Sequence, residues 1–311
     1  MTHVPFRRGR FEELPESPRL PHPYFRVAAR DVRVRSAAFG DVRVRVREHG
    51  AGPPLLLVHG LMTSSYSWRY VLDELGASYR LYVPDLPGSG ESDMPDVPYT
   101  AAAYASFLGE LVDALEIRGC RAIGNSLGGY LTIRLALADG GAISRLAVIH
   151  APGLPDLRYH ALALATAIPG SRALLAHAIR RDPERWVFRN VHYWDESLKS
   201  REEARVYGAP LATAEGARAF VRILSEVLAP RDVAELEATL RARRERGERF
   251  PIPLSLVYAR RDPMVPPSVG ARLAALIADA DFAWLDDTSH FAHVDSPKRL
   301  VARLAPFLRG D

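Results

Sequence analysis

At 311 residues, 48% hydrophobic and 25% charged, the chain is long enough to bury a sizeable core without staples, and its single cysteine, Cys120, excludes an intrachain disulfide. The formal net charge of +4 comes almost wholly from arginine, Lys199 and Lys298 being the only lysines, and acidic residues are mixed in with it, as in RDPERWVFRN, which argues against nucleic-acid binding. No apolar run approaches a membrane span, and the pair Arg7-Arg8 is followed by Glu12, Glu13, Pro15, Glu16 and Pro18 rather than an apolar export segment, so a cytoplasmic protein with no membrane partner is expected.

Residues 1–25 are rich in proline and charge and read as an irregular arm strapped over the surface. DVRVRSAAFG and DVRVRVREHG follow, with valine alternating with arginine, the period-2 pattern of two half-buried antiparallel strands. The pattern then changes to continuous apolar runs: PLLLVHG, RLYVPDLPG, RAIGNS, RLAVIHAPG and PLSLVYARRD, each suited to a strand buried on both faces of a parallel sheet. TAAAYASFLGELVDALE and LGGYLTIRLALAD lie between them with apolar residues at helical spacing, and ADFAWLDD and PKRLVARLAPFL supply a last strand and a last helix. Alternating strands and helices predict an α/β fold with a mostly parallel sheet and helices on both faces. One block breaks the alternation. From 153 to 250 the segments YHALALATAIPGSRALLAHAIR, SREEARVYGAPL and EGARAFVRILSEVL read as helices, and no strand is evident. A core of 26–152 and 251–311 with a helical cap of 153–250 over the carboxyl ends of the strands is the expected division.

The chemistry centres on GNSLGG. Gly-x-Ser-x-Gly between a buried strand and a helix is a nucleophile elbow, in which the glycines at 124 and 128 relieve a turn tight enough to lift the Ser126 hydroxyl clear of the sheet. A serine needs a base to take its proton. His290, in the loop between the last strand and the last helix, is the candidate, with His293 as runner-up. The acid that orients it is Asp262, just past PLSLVYARR; Asp286 and Asp287 are rivals because they are close to His290 in sequence, but they end the strand too early to reach the far ring nitrogen. For an oxyanion, Leu127 N–H follows the nucleophile and Leu61 N–H follows the strand that ends in His59-Gly60. His59 reads as structural, and the glycines of DLPGSGES as turn formers. Met62, Tyr159, Trp186, Tyr193, Trp194 and the apolar run from Ala161 to Ile168 are candidates for a substrate pocket. The histidines lack the spacing of a metal motif, and no phosphate or dinucleotide loop is present, so neither metal nor cofactor is expected.

VHGLMTSSYSW, DLPGSGES, GNSLGGY, YARRDPMVPP and DTSHFAHVDSP, in that order, resemble the α/β-hydrolase superfamily from about residue 40 to the C-terminus. The resemblance implies an eight-stranded sheet with an inserted helical cap, and a serine at the elbow rather than the aspartate of haloalkane dehalogenases and epoxide hydrolases. GNSLGG is similar to the elbow of C–C bond hydrolases acting on vinylogous diketones, but the loop LMTSSYSW replaces their glycine-rich one. The expectation is a serine hydrolase, monomer or homodimer, acting on small-molecule carboxylic esters or lactones of small to medium apolar acyl groups. The alternatives are a C–C hydrolase and, in a different class, a ligand receptor that keeps the fold without turnover.

Overall fold

The computed structural model describes residues 5–311. Eight strands form one sheet in the order β1-β2-β4-β3-β5-β6-β7-β8. They are β1 (Ala28–Ser36), β2 (Gly40–His49), β3 (Pro54–Val58), β4 (Arg80–Pro84), β5 (Cys120–Asn125), β6 (Ile143–Ile149), β7 (Leu254–Ala259) and β8 (Asp281–Leu285). β1 and β2 are antiparallel, with Val32 opposite Val44 and Val34 opposite Val42, so the valines share one buried face while Arg33 and Arg35 point to water. β2 also runs antiparallel to β4, and every pair from β4 through β8 is parallel. The first four residues of the expected arm lie outside the described residues; the rest is irregular apart from short turns at Phe11–Glu13 and Tyr24–Arg26.

Because successive residues of a strand face opposite sides, the apolar runs feed two cores. Leu56 and Val58 of β3 pack on one face, beneath α2 (Ala101–Ala114), α3 (Leu127–Ala138) and α10 (Pro267–Leu276). Leu55 and Leu57 pack on the other, beneath α1 (Leu72–Gly76) and α12 (Pro297–Arg309), with α11 (Ala292–Asp295) just ahead of the latter.

Between β6 and β7 the chain forms α4 (Leu157–Ala167), α5 (Ser171–Arg181), α6 (Pro183–Asn190), α7 (Arg201–Leu211), α8 (Ala214–Glu226) and α9 (Pro230–Glu245). The starts are written in the sequence: Asp182, Ser200 and Thr213 each accept a backbone N–H of the first turn, at Arg185, Glu203 and Gly216. YHALALATAIPGSRALLAHAIR is two helices rather than one. Pro169 cannot continue the first, and Gly170 takes φ +81°, so α4 and α5 meet at 98°.

Candidate active site

Three strand ends converge on one cavity. Ser126 sits between β5 and α3 at φ +53°, a conformation costly for any side-chain-bearing residue. Its backbone N–H donates to Ile149 O at 2.8 Å, which ties the turn to β6. The flanking glycines are steric necessities: a Cβ at Gly128 would lie 2.2 Å from Val58 O, and one at Gly124 would lie 2.6 Å from Gly128 O. Helix α3 therefore presses against strands β3 and β5, and Ser126 faces the cavity.

His290 reaches the same cavity from the loop between β8 and α11, and its Nδ1 lies 2.7 Å from Asp262 Oδ2. Asp262 follows β7, and its other oxygen accepts the N–H groups of Met264 and Val265 at 2.7 and 2.9 Å. Burial works to raise the Asp262 pKa, but the charge and hydrogen bond of His290 and the backbone donors outweigh it, and the carboxyl lies below its usual range. With Nδ1 engaged by a carboxylate, His290 presents Nε2 for proton transfer. His293 does not share this place: it stacks on Trp68 with ring centroids 4.5 Å apart, and neither nitrogen has a partner among the described residues. Asp286 is exposed and pairs with Arg260, and Asp287 is exposed as well.

The loop after β3 is held from below. Leu86 N–H donates to His59 Nε2 at 3.0 Å, so the His59 proton sits on Nδ1 and is given to Gly60 O at 2.8 Å. Thr63 Oγ1 donates to the same carbonyl at 3.0 Å. A trans peptide sets N–H opposite C=O, so the anchored Gly60 carbonyl turns Leu61 N–H away from His59 and Thr63. Leu61 lines the cavity, as does Leu127, whose N–H, at the first position of α3, has no intrahelical acceptor. His59 thus has the structural place that its position implies.

The cavity is about 310 Å³ and mostly apolar. Met62, Tyr159 and Trp186 line it; Tyr193 and Trp194 do not. Tyr193 is fully buried, its hydroxyl donating to Glu203 Oε2 at 2.6 Å, because the buried Arg69–Glu203 ion pair captures it. Trp194 lies against Phe6 with ring centroids 5.5 Å apart, and its backbone N–H donates to Asp295. Of the run Ala161 to Ile168 only Leu162 is on the cavity wall. The wall that sequence reasoning missed comes from one stripe of α8 and its C-terminal turn, Phe220, Leu224, Val227 and Leu228, together with Met264, Val265 and Phe291. The stripe has helical spacing, but a lining face and a core face read alike in sequence. Arg158 also reaches the wall, held by both oxygens of Asp156 and by Met264 O.

Three further buried groups support the site. Asn125, next to Ser126, donates from Nδ2 to His290 O at 3.1 Å. Asp295 accepts Ser289 N–H at 2.7 Å and the Ser289 hydroxyl, fixing the residue before His290. His150, at φ +52° after β6, has its ring 5.6 Å from that of His290; burial pushes its pKa down to about 4, so it is neutral. His150, Asp262 and His290 bring ligand atoms within 4.8 Å of one another, the one such cluster among the described residues. Asp262 Oδ2 is taken by His290 and His150 Nε2 accepts Ala259 N–H, while His150 Nδ1 has no partner among the described residues.

A model of the "Alpha/beta hydrolase family" matches residues 55–304. An uncharacterised protein of Mycobacterium tuberculosis is 27% identical over 90% of this chain and 83% of its own length. The 2-hydroxymuconate semialdehyde hydrolase of a Pseudomonas species is 27% identical over 88% of this chain and 93% of its own. Among solved structures, the epoxide hydrolase CorEH superposes with a TM-score of 0.76 at 19% identity, covering 91% of this chain and 99% of that one.

Proposed function

The chain belongs to the alpha/beta hydrolase family, and on that premise we propose that it is a serine hydrolase that cleaves carboxylic esters of small to medium apolar acyl groups through an acyl-enzyme on Ser126. The observation that carries this reading is the 2.7 Å bond between His290 Nδ1 and Asp262 on the cavity that the strained Ser126 also lines. Ser126 Oγ attacks the ester carbonyl as His290 Nε2 takes its proton, and Asp262 stabilises the imidazolium. The N–H groups of Leu61 and Leu127 hold the oxyanion. His290 returns the proton to the leaving alkoxide, which departs as the alcohol. Water, deprotonated by His290, then attacks the acyl-enzyme and frees the acid and Ser126. No metal or cofactor takes part in these steps. The insertion of 153–250 acts as a cap, its α4, α6 and α8 setting the acyl group that fits.

A C–C hydrolase is the second reading, favoured by the likeness to the semialdehyde hydrolase. The wall argues for the ester. A dienoate brings a carboxylate, and Arg158, the basic side chain on the wall that is always charged, is already bound by both oxygens of Asp156. Turnover of p-nitrophenyl esters from acetate to long acyl chains, beside a ring-cleavage dienoate, separates the two. Short and medium esters should turn over, and Ser126→Ala should lower kcat by roughly 10⁴-fold or more. Turnover of the dienoate alone would transfer the site to C–C cleavage, and a fully active Ser126→Ala would end both readings.

A further inference from the structure

Four of the large exposed hydrophobic side chains of the described residues fall in one segment of the insertion: Leu157, Leu164, Ile168 and Leu174, at 85, 73, 62 and 70% exposed. At about 100° per residue, Leu157, Leu164 and Ile168 fall within about 40° of one another around the α4 axis. Tyr159 and Leu162, on the far side of that helix, line the cavity. Helix α4 is therefore apolar on two faces, one turned to the cavity and one to water. Single exposed leucines are ordinary on a protein surface; Leu157 and Leu164 on one face of α4, with Ile168 at its C-cap and Leu174 early in α5, make a denser set.

The same segment carries positive charge, with Arg181 on the Leu174 side of α5 and Arg180 about 120° round the helix from it. Residues 157–181 hold four arginines, Arg158, Arg172, Arg180 and Arg181, and no aspartate or glutamate. Asp156 pairs with Arg158 and Glu226 with Arg172, whereas Arg180 and Arg181 make no ion pair among the described residues. A partner must then offer an apolar phase and negative charge together. We propose that the α4–α5 elbow docks on the surface of an anionic phospholipid bilayer. It lies on the bilayer rather than crossing it. No single helix is long and apolar enough to cross a membrane, and two helices of 11 residues bent by 98° each reach only about 16 Å against a hydrocarbon core of about 30 Å. This revises the expectation of no membrane partner, which rested on the search for a spanning run. Docking sets lipid one helix diameter, about 10 Å, from the cavity. Taken with the proposed ester hydrolysis, on which this last step rests, the substrates are lipid-soluble esters drawn from the bilayer.

Flotation of the full chain with phosphatidylcholine vesicles, with and without phosphatidylglycerol, tests the docking. The protein should float with phosphatidylglycerol vesicles and lose that binding at high salt. Leu164→Ser/Ile168→Ser and Arg180→Glu/Arg181→Glu should each weaken binding by about tenfold or more. The melting temperature and the hydrolysis of water-soluble esters should stay unchanged in both variants. No flotation with anionic vesicles, or equal flotation of the variants, overturns the proposal. So does a dimer in analytical ultracentrifugation that Leu164→Ser/Ile168→Ser dissociates, because a second copy would then cover the patch. Flotation without ester turnover would sink the hydrolase reading and leave docking standing; turnover without flotation would do the reverse.

Discussion

Ser126 shows how much one residue can carry. Its φ of +53° sits in a turn where a Cβ at Gly128 would meet Val58 O and one at Gly124 would meet Gly128 O. That requirement is local, so Gly-x-Ser-x-Gly announces it in the sequence. Asp262 works by a different logic. The Met264 and Val265 N–H groups take its Oδ1, leaving Oδ2 for His290. In Asp262→Asn the same donors hold the amide oxygen, and the NH₂ faces His290 Nδ1. The His290 proton is driven to Nε2, where it blocks proton transfer from Ser126. On the proposed mechanism kcat for a p-nitrophenyl ester at neutral pH should fall by about 10⁴-fold with little change in KM. A loss below tenfold would remove Asp262 from the role. Ser126, Asp262 and His290 were legible because each stands just past a recognisable strand. Asn125, His150 and Asp295 were not, since nothing local marks a buried polar side chain whose partner is distant in sequence.

Elements bring those distant partners together. Asp295, on the short α11, receives Trp194 N–H from the insertion and two Ser289 bonds from the loop that bears His290. Burial raises its pKa to about 7 against these hydrogen bonds. The folded state therefore favours the proton, and the stability tied to it is lost as pH rises from the ordinary carboxylate value near 4 to about 7. Asp295→Asn lacks this titration. Calorimetry across that range should show the parent losing several degrees of melting temperature relative to the variant, with the two profiles parallel above it. Profiles parallel throughout would contradict the assignment. The insertion was legible as a helical block, but the direction of its side chains was not. Tyr193 turned inward to a buried ion pair, and Leu164 and Ile168 turned to water, because α4 breaks from α5 at Pro169-Gly170 and leans on the cavity by its opposite face. Periodicity locates an apolar face without saying what lies against it.

At the scale of the molecule, the arm joins insertion to sheet. Pro15 O and Glu16 O accept the first two N–H groups of α7, Phe11 lies under the Arg201 guanidinium at 3.8 Å, and Tyr24 bonds Ser65 at 2.9 Å. Beneath it Arg69, from the loop after β3, pairs with Glu203 of α7 at 2.6 Å in full burial. Removing one partner of such a pair strands a charge, so the pair ties α7 to the loop after β3. The α/β alternation was legible because parallel strands must be apolar on both faces; the path of the arm was not, since proline and charge mark irregular chain without saying where it lies. On the proposed mechanism Ser126 is the nucleophile on the cavity. The most direct test is mass spectrometry after treatment with diethyl p-nitrophenyl phosphate. One diethylphosphoryl group should appear per chain, on the peptide that contains Ser126, with loss of ester hydrolysis and no labelling of Ser126→Ala. Ester hydrolysis that persists with Ser126 unlabelled, or a label on another residue, would contradict it.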